Sequence, residues 1–189
     1  MKKFLVTFAL LFVVFNIVAQ EHLSFKGIPI EGSMDEFCKK LESKGLTLLG
    51  KDNKTAVFSG YFTEYLAEIY VRTSDDGKNV YSVMVANVPS DNWKILVSNY
   101  NYYKDLYTRK YGSPYFVKEN NSADLDSNLA LMAQLQNGTA EYCSIWKASG
   151  GDILLYIGKT LRAYEGNVII CYRDSQNSEV KVQNDLDDI

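Results

Sequence analysis

Apolar positions along this chain recur with two different periods, and each period predicts an element. The first stretch has neither: Phe4 to Val18 is almost wholly apolar with no polar face, Lys2 and Lys3 precede it, and Ala19-Gln20-Glu21 break it. An apolar run of roughly 15 residues is too short to cross a bilayer core of about 30 Å as a helix, but it suits the middle region of a secretory signal peptide. Residues 1–19 are therefore expected to be a cleaved leader, with a buried helix or a retained anchor as the alternatives. No cysteine closes the run, so the bacterial lipoprotein signal is absent.

Helical spacing begins at Ser33-Met34-Asp35-Glu36, a capping box in which Glu36 stands three residues after the capping Ser33. Met34, Phe37, Cys38 and Leu41 then share one face, and Gly45 ends the helix. Period-two patterns predict strands at 47–49, 56–62, 67–73 and 80–88, the last reached through the turn Asp75-Asp76-Gly77-Lys78. Ser90 opens a second helix with Trp93, Leu96, Val97, Tyr100, Tyr103, Tyr107 and Tyr111 on one stripe, stopped by Gly112 and Pro114. A strand at 115–118, a short helix near 125–135 and strands at 140–147, 153–159 and 168–174 complete the pattern.

The order helix, weak strand, three-stranded meander thus occurs twice. The expectation is one α+β domain over 20–174 whose antiparallel sheet is built from two tandem helix-plus-four-strand units, about 26–88 and 89–174, with helices packed on one face. Ser59-Gly60-Tyr61 against Ser144-Ile145-Trp146, and Tyr70 against Tyr156, echo each other across the units. Residues 175–189 are polar, end in Asp185, Asp187 and Asp188, and read as a loose acidic tail.

Charge and composition narrow the function classes. The formal charge is −3 and becomes −5 when Lys2 and Lys3 leave with the leader. Nucleic acid and anionic membrane both need clustered Lys and Arg, so neither is an expected partner. His22, the one histidine, falls at the start of the mature chain, where it makes a poor catalytic base. No histidine-based metal site, phosphate-binding glycine loop or cysteine cluster is present, so neither metal nor cofactor is expected. Cys38, Cys143 and Cys171 read as packed thiols, with one disulfide or a reactive thiol as the alternatives. Cys143 and Cys171 should lie on strands separated by a third, about 9 to 10 Å apart, beyond disulfide reach.

What remains is an aromatic surface. Alternation puts Phe58, Ala67, Ile69 and Val71 beneath the helices in the first unit, and Cys143, Ile145, Ile153, Leu155 and Ile157 in the second. The opposite face then carries Tyr61, Tyr70, Met84, Tyr142, Trp146, Tyr156 and Tyr172, the candidate ligand-binding residues. Tyr and Trp offer large contact area with a polar handle, which suits a binding face. The alternative is that the tail, the inserted helix or a second subunit covers that face. The stripe Tyr100, Tyr103 and Tyr107 is read as core.

A tandem of helix-plus-four-strand units with aromatics on the uncovered sheet face resembles the β-lactamase inhibitory protein fold. The resemblance implies an exported protein that grips another protein on a concave sheet. The added helix and the lack of a clear disulfide pair depart from that family. The Gln20 start, Lys110-Tyr111-Gly112-x-Pro114 and Tyr172-x-Asp174 also resemble small uncharacterised exported proteins of Gram-negative anaerobes. The expected function is a non-enzymatic periplasmic or secreted binding module that engages a protein or a glycan. A small hydrolase with a carboxylate pair and a structural subunit of an envelope assembly are the alternatives.

Overall fold

A computed structural model describes residues 21–74, 77–121 and 127–187, with side chains described as far as residue 182. The expected leader, the Asp75-Asp76 turn and the start of the inserted helix lie outside these residues. The chain opens with a hairpin of two short strands, β1 (Ser24–Phe25) and β2 (Ile28–Pro29). Its turn is Lys26-Gly27, with φ of 50° and 76°. Positive φ at both turn positions matches the twist of a two-residue hairpin, and glycine takes that conformation without a Cβ penalty. The alternation pattern had given no sign of this hairpin, because two-residue strands are shorter than any period.

Helix α1 (Met34–Ser43) starts where the capping box predicts, with Ser33 Oγ accepting from the Glu36 amide at 3.4 Å, and buries Met34, Phe37, Cys38 and Leu41. Strands β3 (Thr47–Lys51), β4 (Thr55–Phe62), β5 (Tyr65–Thr73) and β6 (Val80–Asn87) follow as an antiparallel meander. Helix α2 (Trp93–Tyr111) is capped by Asn92 rather than Ser90. The Asn92 side chain accepts from the amides of Lys94 and Ile95, while Ser90 Oγ accepts from Asn92 itself. Then come β7 (Phe116–Asn120), α3 (Asn128–Asn137), β8 (Glu141–Ala148), β9 (Gly151–Lys159), β10 (Gly166–Asp174) and α4 (Ser175–Asp187). Where a loose acidic tail was expected, α4 forms a helix docked at its start by Asn177.

The strands make one eight-stranded antiparallel sheet in the order β3-β4-β5-β6-β10-β9-β8-β7. Its register sorts the side chains. Phe58, Ile69, Val85, Ile170, Leu155 and Ser144 are successive cross-strand partners, and all six are fully buried. The row one residue along, Val57–Tyr70–Met84–Cys171–Leu154–Ile145–Phe116, occupies the opposite face and stays partly or fully exposed. Helix α1 touches β3 and β5, α2 touches β8, β9 and β10, and α3 touches β9. The molecule is thus an α+β protein with its core between the helices and one sheet face.

Two strands lie in the opposite phase from the expectation. In β8, Tyr142, Ser144, Trp146 and Ala148 face the helices, while Cys143 and Ile145 face away. In β10, Tyr172 pairs with Val83 and Ile153, both buried, and lies with them in the core. Both strands carry apolar residues on both faces, so alternation alone does not fix the phase. The indole of Trp146 is enclosed because its N–H has a partner there, donating to the Gly112 carbonyl at 3.0 Å. Cys38, Cys143 and Cys171 are all free thiols, and β9 separates the last two.

The N-terminal segment is held by one buried side chain. Asp174, fully buried at the end of β10, accepts from the Leu23 amide at 2.8 Å and from the Asn177 amide at 2.9 Å. Gly150 lets that segment cross the β8–β9 turn, since a Cβ there would lie 2.1 Å from the Glu21 carbonyl oxygen. Replacing Asp174 by Ala orphans two buried donors, each costing about 1–3 kcal/mol. Asp174→Ala is expected to lower unfolding stability by about 3 kcal/mol. Hydrogen exchange should show residues 21–31 opening first, with the Leu23 amide losing the most protection.

Candidate functional site

Of the seven residues expected on the uncovered sheet face, the structure places four there. Tyr61 is well exposed, and Tyr70, Met84 and Tyr156 are half-buried. Tyr70 and Met84 are direct cross-strand partners, Tyr156 sits one row away beside Cys143 and Ile169, and Tyr61 is at the β4–β5 end. The Tyr70 hydroxyl donates to the Glu68 carboxylate, and that bond with burial pushes its pKa up to about 12. Tyr142, Trp146 and Tyr172 belong to the helix-covered face, so they do not join this group. Tyr142 packs edge-on against Trp93 and Tyr100. Trp146 and Tyr172 both pack against Tyr107 of α2.

Those displaced aromatics lead to a cleft on the helix side, with a volume of about 820 Å³. Four pieces of chain enclose it: the segment Glu21–Glu31 with its hairpin, the C-terminal half of α2, and the two turns that carry Thr63 and Ser149. Phe62, Tyr103, Tyr107 and Tyr172 form its floor, with Tyr111 beside them. Phe62 stacks on Tyr103 at 5.9 Å and Tyr107 on Tyr111 at 5.9 Å, while Tyr172 meets Tyr107 edge-on at 6.3 Å. Phe25 of the hairpin bridges Phe62 and Tyr172 from below.

The phenols of this floor are engaged within the protein. The Tyr107 and Tyr172 hydroxyls bond each other. The Tyr103 hydroxyl accepts from the Asn87 amide at 3.1 Å and lies 3.3 Å from the Phe62 carbonyl, to which it donates. Burial pushes the pKa of Tyr107, Tyr172 and Tyr103 above the usual phenol value. The floor therefore offers mainly apolar ring surface, with one O–H of the Tyr107–Tyr172 pair not donated.

The mouth is polar. His22, expected at a loose chain end, is packed instead: its Nδ1 lies 3.1 Å from Asp174 Oδ2 and its Nε2 3.6 Å from Glu31 Oε2. The Nδ1 contact is not aligned as a hydrogen bond. Ser149 Oγ donates to Glu21 at 2.6 Å. Lys26 lies over the Phe62 ring, 5.8 Å from its centroid, and Lys110 over the Tyr111 ring at 5.0 Å. Sequence reasoning missed this cleft because the residues that close it come from positions 21–31, 103–111, 148–149 and 172. Only the Tyr100-Tyr103-Tyr107 stripe was visible, and it is read from the sequence as core.

Comparison with known protein families, with curated proteins and with solved structures finds no match for this chain. No helix among the described residues is long and apolar enough to cross a membrane. Fold and site together define an α+β protein with a tyrosine-floored cleft on the helix side of an antiparallel sheet.

Trp146→Ala is expected to cost about 3–5 kcal/mol of stability, the usual penalty for emptying a buried large aromatic site. A chemical denaturation curve measures it. Tyrosine titration adds a pH test. Raised phenol pKa values mean that the folded state holds protons that the unfolded chain releases above pH 10. The stabilisation is fully present below about pH 10 and is lost as pH rises through the folded-state values. Unfolding midpoints measured from pH 9 upward should fall once pH 10 is passed, and Tyr107→Phe should flatten the decline.

Proposed function

We propose that the protein is an exported, non-enzymatic binding module whose ligand seat is the cleft between the N-terminal hairpin and α2. The observation that carries this reading is a concave aromatic floor with its own phenols bonded, inside about 820 Å³. Small-molecule seats are typically 300–1,000 Å³, mostly apolar, with few polar groups at the rim. The non-enzymatic reading rests on the mouth: His22 Nε2 is turned to Glu31, and the Ser149 hydroxyl is spent on Glu21. A base–nucleophile pair needs the base aimed at a hydroxyl or thiol. Export rests on the leader-like sequence of residues 1–19. The sheet order, with β3 to β6 in sequence and β10 to β7 in reverse, supports a tandem pair of units.

A second reading, in which the sheet grips a protein or glycan, is favoured by the apolar row Val57–Tyr70–Met84–Cys171–Leu154–Ile145–Phe116 on the uncovered face. A neutral probe separates the two. N-phenyl-1-naphthylamine should bind the protein and perturb the NMR signals of residues 22–31, 103–111 and 172. Leu106→Trp, which fills the cleft, should abolish that binding. Perturbations gathered instead on Tyr70, Met84 and Tyr156 would transfer the function to the sheet face.

A further inference from the structure

We propose that the ligand of this cleft is an anionic amphiphile, an apolar chain or ring system that ends in a single negatively charged head group. The inference deepens the cleft reading and rests on it. The charge that the mouth presents carries the argument. Besides His22 and the tyrosines, four ionisable side chains line the cleft: Glu21, Glu31, Lys26 and Lys110. Each carboxylate has a contact inside the protein, Glu21 accepting from the Ser149 hydroxyl and Glu31 lying 3.6 Å from the His22 ring, and neither touches a lysine.

The two lysines differ. Lys26 donates only to the Tyr61 carbonyl, at 3.2 Å, and lies over Phe62. Lys110 has only the Tyr111 ring beneath it. Neither is paired with a carboxylate among the described residues, although the chain as a whole carries net negative charge. Lys51, Lys104, Lys118 and Lys147 make ion pairs with nearby acids, and Lys26 and Lys110 are among the lysines that do not. What sets these two apart is their place over aromatic rings in the lining of an apolar-floored cleft. A cation on an aromatic face keeps its apolar stem packed and its ammonium directed at whatever enters.

The floor sets the other half of the ligand. With the hydroxyls of Tyr103, Tyr107 and Tyr172 bonded internally and a single O–H of the last two left over, a charged group pushed to the bottom would exchange its water shell for at most one partner. An apolar body gains there, and its charged end stays at the mouth between Lys26 and Lys110.

The test uses the full mature chain and three monomeric probes with the same tail, below their micellar concentrations: dodecanoate, dodecanol and dodecyltrimethylammonium. Calorimetry should show dodecanoate binding tightest and the cationic probe weakest. Lys26→Gln and Lys110→Gln should each weaken dodecanoate about two- to fivefold, the range of exposed charge pairs. Both should leave dodecanol unchanged. Raising ionic strength should likewise weaken dodecanoate alone. Equal binding of the anionic and cationic probes, or lysine variants that leave dodecanoate unchanged, would overturn the ligand class. The cleft reading would still stand if N-phenyl-1-naphthylamine bound as expected. Absence of binding by that neutral probe and by dodecanol would overturn the cleft itself. Flotation with phosphatidylglycerol vesicles in the absence of monomer binding would mark a membrane surface as the anion source and overturn the proposal.

Discussion

Asp174 is the group on which the arrangement of this molecule turns. It stands at the end of β10, a central strand of the sheet, and is fully enclosed. A buried carboxyl is costly unless its oxygens are used, and here they gather three separate parts of the chain. One oxygen takes the Leu23 amide and lies against His22, while the other takes the Asn177 amide. Asn177 continues the connection by donating to the Ile30 and Val80 carbonyls, at 3.0 and 2.9 Å. The N-terminal hairpin, the start of α4 and the end of the central strand are locked together. The lock adds to apolar packing, since Leu23, Phe25, Ile28 and Ile30 of the same segment are buried in the core.

The cleft follows from the lock. Its floor belongs to the core that the sheet and α2 build, but its walls are the tied-down hairpin and the β8–β9 turn over which the chain crosses. Gly150 makes that crossing possible with a φ of 82° and no side chain. The cleft is thus a by-product of how residues 21–31 are anchored. The same anchoring brings His22 and Glu31 within 3.6 Å of each other, and Ser149, on the crossed turn, donates to Glu21. Lys26 and Lys110 line the same cleft without a carboxylate partner among the described residues.

The tyrosines serve two different ends, and their environments separate them. Tyr100, Tyr103, Tyr107 and Tyr172 close the core, with hydroxyls bonded inside the protein and pKa values raised by burial. Tyr61, Tyr70 and Tyr156 stand on the uncovered sheet face, where Tyr61 is open to solvent and Tyr70 spends its hydroxyl on Glu68. Abundance of tyrosine is therefore not one signal. A phenol inside needs a partner, and the α2 spacing supplies it by aligning Tyr100 with Ser144 and Tyr107 with Tyr172.

How much of this was legible in the sequence depended on whether local order was enough to fix an element. The capping box at Ser33, the tyrosine stripe of α2 and the alternation of β4, β5 and β9 each lie within a few residues, and each appears as expected. The α+β class and the antiparallel sheet follow from them. In β8 and β10 both faces are apolar, so the phase of Trp146 and Tyr172 was set by cross-strand partners and by the Gly112 carbonyl that receives the indole N–H. The hairpin at Ser24–Pro29 and helix α4 are fixed by Asp174 and Asn177, which reach partners roughly 100 to 150 residues away in the chain. Sequence period reports which residues want burial, but not which distant group will satisfy them. The face of each aromatic, the packed place of His22 and the cleft itself were decided only when the tertiary structure brought those partners together.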